Sequence, residues 1–500
     1  MKRLAKIFVA TAFSAVFLAA AANAQDSTSG DRARDILRKM SLEEKAGQVL
    51  AGFFRGGEMS PSLRAILKTV KPGGVVLYAS TGNIAGLEQV AGLVSSIQEA
   101  AATDGTLPLL VAVDQEGGRV NRLTKGVTVF PGNMALGATG DEKLAAKAAR
   151  VTSRELRTLG ITANFAPVAD VQSNPANPVI GTRSFGADPG FVARLASAMI
   201  APMAEEGVLC TAKHFPGHGD TALDSHYALP ADNHPRDFLD RVNLAPFRAM
   251  VEKGVPAVMT AHVSMPALDD GNPLPATLLP KAYSILREEM GFRGLTVTDS
   301  LGMKALTLYW SVGEAAVRAL QAGADMVVLG ADPGHEPAEI ALVHNAILEA
   351  ARTDRIPMAR LDEAAGRVIL AKQNLGVLDD ASPRAERLKD LGSEENLAVA
   401  DEIARRALTV AWNRLKPFPA ASPENPRVLL WPLEKTDQAW TLLKSCPSLK
   451  PQFVPLSAHP EDLEGISAGL DGEEPVFVWA GDLAQFPSWR DFARSLGRRA

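Results

Sequence analysis

The segment Leu109-Leu-Val-Ala-Val-Asp-Gln-Glu-Gly-Gly-Arg119 joins five consecutive apolar residues to a short stretch of acids, glycines and an arginine. An apolar run of this length is typical of a strand buried on both faces, as in a parallel sheet that is covered by helices. The charged residues follow at the carboxyl end of that run. We therefore predict a buried strand over Leu109 to Asp114, with polar groups presented where it ends.

The same arrangement recurs between about Ser41 and Gly376, where short apolar runs alternate with longer amphipathic ones. The predicted strands are Gln48 to Phe54, Gly74 to Tyr78, Leu109 to Asp114, Thr162 to Val171, Val208 to His214, Ala257 to Val263, Leu295 to Asp299 and Asp325 to Leu329. Helical spacing of apolar residues predicts helices that include Glu142 to Leu159, Phe191 to Glu206, Phe238 to Lys253 and Tyr283 to Met290. Eight strand–helix units are the number in a (β/α)8 TIM barrel, which we expect to span residues 35–376.

The rest of the chain predicts a smaller C-terminal α/β domain. Residues 377–392 are charged, contain Pro383 and are interpreted as a linker. Residues 393–500 begin with a predicted helix, Glu394 to Ala411, and continue with a short α/β pattern. Its predicted strands are Val428 to Trp431, Gln452 to Leu456 and Val476 to Ala480, and its helices Thr436 to Leu443 and Trp489 to Leu496. We recognise no chemical motif there and expect a structural or binding module.

Residues 1–24 have the pattern of a secretory signal peptide. Lys2, Arg3 and Lys6 precede the apolar run Ile7 to Ala22, and Ala22-Asn-Ala24 supplies the small residues of a cleavage site. The run is too short and wrongly flanked for a stable membrane span. We expect a protein exported to the periplasm or beyond, without stable membrane insertion. Removing the three basic residues takes the formal net charge from -5 to -8.

Composition excludes several classes of protein. Of 500 residues, 46% are hydrophobic and 22% are charged, which excludes a disordered chain, collagen and a disulfide scaffold. The chain is not strongly basic, so composition gives no support to nucleic-acid binding. Cys210 and Cys446 lie far apart, in different predicted domains. We expect two separate thiols, with a disulfide left open, and the oligomeric state is open as well.

Ionisable or amide side chains lie at the ends of five predicted strands. They are Asp114 and Glu116 at the end of the third, Asn164 and Asp170 in the fourth, Lys213 and His214 at the end of the fifth, His262 at the end of the sixth and Asp299 at the end of the seventh. One such residue alone is equally consistent with a salt bridge at the barrel rim. Because the carboxyl ends of barrel strands converge on one mouth, five of them together predict an active site.

The histidines are concentrated in one part of the chain, since five of the eight lie between His214 and His262. The segment Lys213-His-Phe-Pro-Gly-His-Gly-Asp-Thr-Ala-Leu-Asp-Ser-His226 has a proline and glycines that exclude a helix. We predict a long loop over the barrel mouth, of the kind that closes on a substrate. Within it, Asp224 precedes His226 by two residues. A carboxylate beside an imidazole fixes its tautomer and raises its pKa, as a general acid/base requires.

Metal-assisted hydrolysis is one chemistry that these residues permit. His214, His262 and Asp299 would then be metal ligands around Lys213. Barrel hydrolases of that kind usually also have a His-x-His pair on the first strand, and the predicted first strand contains no histidine. This absence weighs against a metal site.

Metal-free glycoside hydrolysis is the chemistry we favour. It needs a carboxylate nucleophile, an acid/base and polar groups that hold sugar hydroxyls. The residues that meet these needs are Asp299, the Asp224–His226 pair, Asp114, Arg122 and Lys213. We expect neither a metal nor an organic cofactor. A solute receptor could use similar contacts to hydroxyls but would have no reason to keep a mobile Asp-x-His pair.

At these residues the sequence resembles glycoside hydrolase family 3, on its β-N-acetylglucosaminidase branch. The matching segments cover most of the predicted barrel, and the string from Lys213 to His226 is the most specific of them. The others are Val113-Asp-Gln-Glu-Gly-Gly-Arg-Val120, Phe130-Pro-Gly-Asn-Met-Ala-Leu-Gly-Ala138, Asn164-Phe-Ala-Pro-Val-Ala-Asp-Val171, Ile180-Gly-Thr-Arg-Ser-Phe-Gly186, Met259-Thr-Ala-His262 and Thr298-Asp-Ser-Leu-Gly-Met303.

The resemblance implies a retaining exo-β-N-acetylglucosaminidase that acts on peptidoglycan fragments or related amino-sugar glycosides. Asp299 would be the nucleophile, and His226, oriented by Asp224, would be the acid/base. The residues that would hold the non-reducing sugar are Asp114, Arg122, Arg183, Lys213 and His214. A purely structural pair between Glu116 and Arg119 is left open.

Other activities within the resemblance stay open as alternatives. Ser300 follows the nucleophile, where many cytoplasmic wall-recycling members carry a second aspartate. The β-glucosidase members recruit a glutamate acid from the second domain, which is short here, while the Asp-x-His loop is intact. A histidine acid/base also repels phosphate less than a carboxylate does, so a phosphorylase is a further alternative.

Overall fold

The computed structural model describes residues 31–408 and three strands nearer the C-terminus, Arg427–Pro432, Leu449–Val454 and Val476–Val478. The chain divides into two compact units, Met1–Leu408 and Thr409–Ala500. The predicted signal peptide and the helices predicted over 436–443 and 489–496 lie outside the described residues. Among the described helices, none combines the length and the hydropathy of a membrane span.

The first unit contains a closed barrel of eight parallel strands, which confirms the predicted (β/α)8 fold. The strands are β1 Leu50–Gly52, β2 Gly74–Val76, β3 Leu110–Val113, β4 Ala163–Asn164, β5 Leu209–Phe215, β6 Ala257–Thr260, β7 Leu295–Ser300 and β8 Met326–Leu329. They pair in sequence order, and β1 closes the barrel on β8 with Leu50 opposite Val327. All eight carboxyl ends therefore open on one mouth.

Helices cover the outside of the barrel. Their bounds are Leu42–Gln48, Pro61–Val70, Leu87–Thr103, Asn133–Thr139, Glu142–Thr158, Pro189–Ala198, Ile200–Glu205, Arg236–Arg241, Ala245–Glu252, Pro280–Ser284, Lys304–Thr307, Val312–Ala322, Glu339–Arg352 and Met358–Asn374. Side-chain caps fix several of their starts: Ser41 and Glu44 form a capping box, and Asp141 accepts from the backbone N–H of Lys143.

The helices predicted over 191–206 and 238–253 each appear as two helices. In both pairs a proline lies in the first turn of the second helix, as Pro202 and Pro246. Proline has no N–H to donate to the preceding turn, so it is tolerated at the start of a helix and not inside one. The apolar periodicity runs through both breaks, which is why the sequence predicted a single helix in each place.

The barrel interior is filled by side chains. Ala112 and Ala257 are buried there beside the larger Met259 and Val328, so that small and large residues fit together. Val368, on the helix Met358–Asn374, packs into the same cluster. Because the interior is closed in this way, the carboxyl mouth is where the barrel can bind a ligand.

The helix Glu394–Arg406 belongs to the barrel unit, which corrects its predicted place in the C-terminal domain. It packs against the helix Glu142–Thr158, and Glu155 makes the connection. The buried carboxylate of Glu155 accepts from the side-chain amide of Asn396 at 3.0 Å and from the backbone N–H of Gly392 at 2.9 Å. Periodicity predicted the helix, but a buried polar contact decides which unit holds it.

The predicted linker at 377–392 is also attached to the barrel. The guanidinium of Arg157 donates to the carbonyl oxygens of Asp380 and Ser382, both at 2.8 Å. A short 3-10 helix follows at Ala385–Asp390. This segment is therefore a docked connection rather than a free spacer.

The described strands of the second unit form a three-stranded parallel sheet. They are β9 Arg427–Pro432, β10 Leu449–Val454 and β11 Val476–Val478, in the order β10-β9-β11. Each one overlaps a strand that the sequence predicted. Parallel pairing agrees with the α/β pattern expected of this part of the chain.

Asp325, directly before β8, is the buried acceptor for three arginines. Its carboxylate accepts from Arg287 at 2.5 Å and from Arg360 and Arg367 at 2.9 Å each. The backbone N–H of Thr296 on β7 donates to it as well, at 2.9 Å. One carboxylate therefore joins β7 and β8 to the helix Met358–Asn374 and to the helical segment Ile285–Glu289 outside the barrel.

We expect Asp325→Ala to lower the free energy of unfolding by about 3 kcal/mol, because it leaves three partly buried cations without their shared counter-charge. Chemical denaturation followed by circular dichroism measures the loss. Asp237→Ala is the control, since Asp237 forms only an exposed ion pair with Arg241 and its loss should have no measurable effect. Equal stability of the two variants would contradict the structural role of Asp325.

Candidate active site

The mouth of the barrel contains a pocket of about 550 Å³. Its polar lining comes from the ends of six strands and from the loops that follow them. These residues are Tyr78, Ser80, Asp114, Glu116, Asn121, Arg122, Arg183, Lys213, His214, His218, Ser225, His226, Asp299, Ser300 and Asp332. Every catalytic or sugar-binding residue predicted from the sequence is among them except Asp224, which contacts the pocket through His226, so the structure brings these residues to one place. Asn164, Asp170 and His262, which also lie at predicted strand ends, do not line the pocket.

Two acids and three cations of the pocket are connected to one another by ion pairs, and we call these five residues the ion-pair cluster. The Nζ atom of Lys213 lies 2.9 Å from Oδ1 of Asp114 and 2.6 Å from Oε1 of Glu116. Arg183 donates two parallel hydrogen bonds to Glu116, at 2.8 and 2.9 Å, and Arg122 donates to Asp114 at 3.3 Å. Because each acid is shared by two cations, every group in the cluster has a fixed position.

The cluster keeps its members charged although it is buried. Burial by itself would raise the pKa of Glu116, but the charges of Arg183 and Lys213 hold that pKa well below its usual range. Burial would lower the pKa of Lys213, and the carboxylates of Asp114 and Glu116 keep it above the usual value instead. Glu116 therefore belongs to the site, with Arg183 and Lys213 as its partners.

Asp170 is fully buried and joins His214 to the start of the loop. Its carboxylate accepts from Nδ1 of His214 at 2.7 Å and from the backbone N–H of His218 at 2.7 Å. Burial raises the pKa of Asp170, but the contact with His214 outweighs it and the pKa falls below the usual value. With Nδ1–H donating to Asp170, Nε2 of His214 is left as the acceptor for Arg183, 3.3 Å away.

Asp299 lies near the carboxyl end of β7 and faces the pocket. Burial raises the pKa of this carboxyl group, but the electrostatic effect of the nearby His214 and His262 and the backbone N–H of Ser300, 2.7 Å from Oδ1, bring it below the usual value. An ionised carboxylate at this position has the form that a nucleophile needs. His262 also holds the backbone here, because its Nε2 atom lies 2.8 Å from the carbonyl oxygen of Ser300.

His226 lies on the loop after β5, with Asp224 as its partner. Nδ1 of His226 is 2.7 Å from Oδ1 of Asp224, which also accepts from the backbone N–H of His226 at 2.9 Å. The hydrogen bond to Asp224 raises the pKa of His226, and the same contact holds the pKa of Asp224 below its usual value. The imidazole side chain is 54% exposed, so its other nitrogen can reach a group that enters the pocket.

His218 holds this loop in place. Its ring nitrogens lie 2.7 Å from Oγ1 of Thr221 and 3.1 Å from Oγ of Ser225, and these two residues are on either side of Asp224. Burial lowers the pKa of His218 to about 4, so the ring is neutral near pH 7. The backbone carbonyl of Ser225 also accepts from the N–H of Ala305 at 3.1 Å. The segment before His226 is therefore fixed from two directions.

The arrangement proposed for a metal site is not formed. Both ring nitrogens of His262 are engaged, one with Thr277 and the other with the carbonyl of Ser300, each at 2.8 Å. His214 is similarly held between Asp170 and Arg183. Within the described residues, no group of three or more histidine, cysteine, aspartate or glutamate side chains is placed to hold a metal ion. Cys210 is a free, buried thiol.

Asp332 is a pocket residue that the sequence analysis missed. It lies three residues beyond β8 and accepts a hydrogen bond from the hydroxyl of Ser300. The rule that identified the other strand ends, a charged residue just after a buried strand, would have found it as well. The position after Asp299 is a serine, but the mouth still has a second carboxylate that contacts this serine.

A second Asp-x-His pair was also missed. Asp232 and His234 repeat the geometry of the pair on the loop, with Nδ1 of His234 2.7 Å from Oδ1 of Asp232. The ring of His234 stacks on Phe238 at a centroid distance of 3.9 Å, and neither member of the pair lines the pocket. The spacing alone therefore does not identify the acid/base.

Comparison with known proteins agrees with this geometry. Residues 41–371 match the sequence model described as "Glycosyl hydrolase family 3 N terminal domain". The chain belongs to glycoside hydrolase family 3. The family 3 resemblance drawn from the motifs is confirmed, and the chain is a glycoside hydrolase.

Several relatives of this family 3 chain carry related names. A protein from Pseudoalteromonas piscicida named "Beta-hexosaminidase A" is 34% identical over 71% of the chain, and the match spans 62% of that protein. A "Beta-hexosaminidase" from Idiomarina loihiensis is 37% identical, with 55% of the chain and 81% of that protein covered. The solved structure of a family 3 β-N-acetylglucosaminidase from Paenibacillus sp. is 37% identical, with a TM-score of 0.84 over 91% of the chain and 88% of that structure.

We expect His218→Ala to slow the hydrolysis of glycosides with poor leaving groups by about tenfold and to affect activated aryl glycosides much less. The loop would lose its anchor, and a displaced His226 would protonate the leaving group less well. Initial rates on the two kinds of glycoside measure the difference, and a thermal melt checks that the variant is folded.

His234→Ala is the matched control for this prediction, because His234 belongs to the Asp-x-His pair outside the pocket. It should leave the dependence on the leaving group unchanged. Should His218→Ala slow both kinds of glycoside by the same factor, His218 does not act through the acid/base.

Proposed function

We propose that this family 3 enzyme is a retaining exo-β-N-acetylglucosaminidase that releases terminal N-acetylglucosamine from β-glycosides. The observation that carries the proposal is an ionised Asp299 in the same pocket as His226, whose Nδ1 atom is 2.7 Å from the carboxylate of Asp224. These groups are a nucleophile and a proton carrier on two separate elements, a strand and a loop. The names of the relatives support the identity of the sugar.

The first step forms a covalent glycosyl-enzyme. An oxygen of Asp299 attacks the anomeric carbon, and the bond from that carbon to the leaving oxygen breaks. His226 donates its proton to the departing oxygen, so the aglycone leaves as a neutral alcohol. Asp224 favours the protonated imidazole beforehand, since its hydrogen bond raises the pKa of His226.

The second step releases the sugar. The imidazole of His226 is now neutral and takes a proton from water while the water oxygen attacks the anomeric carbon. The ester bond to Asp299 breaks, and the carboxylate recovers its charge. Two inversions at one carbon give overall retention of configuration.

Residues of the ion-pair cluster, together with His214, bind the sugar. Asp114, Arg122, Arg183, Lys213 and His214 present fixed donors and acceptors in the pocket that contains Asp299. Hydrogen bonds from such groups orient the ring without reorganising, and those that strengthen as the ring becomes positively charged lower the barrier. A pocket of about 550 Å³ holds the end of a sugar chain, which suits an exo mode of action.

The natural substrate and the compartment are part of the same proposal. Peptidoglycan fragments or related amino-sugar glycosides carry terminal β-N-acetylglucosamine, and the pattern of residues 1–24 supports export from the cytoplasm. N-terminal sequencing of the mature protein and release of N-acetylglucosamine from purified wall fragments test these two points.

A glucosidase is the second candidate, and one relative favours it. A protein from Cellulomonas fimi named "Beta-N-acetylglucosaminidase/beta-glucosidase" is 30% identical over 80% of the chain and 70% of its own length. Hydroxyl contacts from the ion-pair cluster would serve glucose as well as N-acetylglucosamine. The choice between the two activities depends on whether the enzyme prefers the acetamido group of N-acetylglucosamine or the hydroxyl group of glucose at C2.

We expect the enzyme to hydrolyse an aryl β-N-acetylglucosaminide with a kcat/KM at least about tenfold above that for the aryl β-glucoside. NMR of the fresh product should show the β-anomer first, because the configuration is retained. Asp299→Asn should reduce turnover by about a thousandfold or more with the fold intact, since the amide is a poor nucleophile. A preference for the glucoside would replace the proposed activity by the second candidate, and an active Asp299→Asn would reject the nucleophile.

We expect Asp224→Asn to move the alkaline limb of the pH profile of kcat/KM to lower pH. The acid form of His226 is required in the first step, so activity falls as the pH rises through its pKa. The hydrogen bond to the Asp224 carboxylate is the main cause that raises this pKa, and an uncharged asparagine oxygen stabilises the protonated imidazole less, so the pKa comes down. Asp232→Asn, in the pair outside the pocket, is the control and should leave the limb in place; an unmoved limb in Asp224→Asn would separate Asp224 from the acid/base.

A further inference from the structure

Asp332 is a carboxylate in the active-site pocket to which the two-step mechanism gives no role. It follows β8 and lines the same pocket as Asp299 and His226. One of its oxygens, Oδ2, accepts from the hydroxyl of Ser300. Among the described residues, no hydrogen bond or ion pair reaches its other oxygen, Oδ1. Within the part of the chain that the structure describes, the pocket therefore contains a carboxylate oxygen with no donor.

The hydrogen bond from Ser300 has a fixed direction. Oγ of Ser300 accepts from the backbone N–H of Gly330 at 2.8 Å and lies 3.4 Å from that of Gly302. Because these N–H groups point at the oxygen, the hydroxyl hydrogen is left for Asp332. The donor therefore favours the ionised carboxylate.

Two glycines make this contact possible. A Cβ atom on Gly302 would lie 2.6 Å from Oδ2 of Asp332, and one on Gly330 would lie 2.6 Å from Oγ of Ser300. Any other residue at either position would push the carboxylate or the hydroxyl away. The backbone is thus shaped to hold Asp332 against the strand that carries the nucleophile.

Asp332 is coupled by charge to both reacting groups. Burial and the charge of Asp299 raise the pKa of Asp332, and the charge of Asp332 is among the causes that raise the pKa of His226. In the covalent intermediate, Asp299 is a neutral ester and no longer repels its neighbour. Asp332 is then a carboxylate with no ion-pair partner among the described residues, in the same pocket that the second reactant has to enter.

We propose that Asp332 selects the acceptor that resolves the glycosyl-enzyme, admitting neutral hydroxyl donors such as water and excluding anions such as inorganic phosphate. Its free oxygen accepts a hydrogen bond from a hydroxyl group, and its charge repels an anion at the same place. The inference rests on the proposed covalent mechanism and adds to it the reason for a hydrolytic outcome.

The two outcomes differ in the bond that forms. With water, its oxygen bonds to the anomeric carbon, the ester bond to Asp299 breaks, and His226 takes the proton, giving the free sugar. With the phosphate dianion, a phosphate oxygen bonds to that carbon as the ester bond breaks, giving the sugar 1-phosphate with no proton to remove. Both routes return Asp299 to its carboxylate form.

The test compares the wild-type enzyme, Asp332→Asn and Asp332→Glu on an aryl glycoside with and without inorganic phosphate. We expect the wild type to give the free sugar, and Asp332→Asn to raise the ratio of sugar 1-phosphate to free sugar by about tenfold or more, because one repelling charge is removed. Asp332→Glu keeps the charge and should exclude phosphate as the wild type does. Phosphorus NMR measures the ratio, and azide in place of phosphate gives a second reading as the glycosyl azide.

Glu336→Gln is the matched control, because Glu336 lies four residues further on, pairs with Arg55 at the surface and does not line the pocket. Its product ratio should equal that of the wild type. The inference is overturned if Asp332→Asn gives the wild-type ratio with both anions, or if the wild type itself forms the sugar 1-phosphate efficiently. The ratio of sugar 1-phosphate to free sugar is measured on the aryl glycoside that the enzyme turns over. A wrong assignment of the sugar would therefore change the substrate preference but not this product ratio.

Discussion

The fully buried carboxylate of Asp170 is the constraint on which the rest of the site depends. It accepts a hydrogen bond from the imidazole of His214, which lines the pocket and contacts Arg183. It also accepts from the backbone N–H of His218, whose side chain anchors the loop. Such a carboxylate is stable in the interior only while its donors surround it. Substrate binding and acid/base placement therefore share one fixed point, and the loop reaches His226 from a rigid base.

The site also depends on how its charges are distributed. The negative charges of Asp114 and Glu116 are compensated by Lys213 and the two arginines, so these acids fix the positions of their neighbours without adding uncompensated negative charge. Asp299 has no such cation at bonding distance among the described residues. It accepts from a backbone N–H, and neighbouring histidines lower its pKa, so its charge remains available for the proposed attack on carbon.

The sequence predicts the barrel and most of the site because both follow from local rules. Apolar runs identify the strands, and charged residues directly after them identify the mouth, as at Lys213 and Asp299. The same spacing that picks out Asp224 and His226 also fits Asp232 and His234, and only the fold shows which pair lines the pocket. The place of the helix Glu394–Arg406 likewise depends on a contact with Glu155, more than two hundred residues away in the chain.

The proposed use of histidine as the acid/base, in place of a carboxylic acid, follows from the charges around it. Asp299 and Asp332 already lie in the pocket without a cation of their own among the described residues, and a further carboxyl group beside them would raise the pKa values of both. An imidazolium has the opposite effect: it supports the ionised form of Asp299 before attack and becomes neutral when it gives up its proton. At that moment Asp299 also loses its charge to the new ester bond. Asp299 and His226 therefore lose their opposite charges together. The reaction itself creates no uncompensated charge in the low-dielectric pocket.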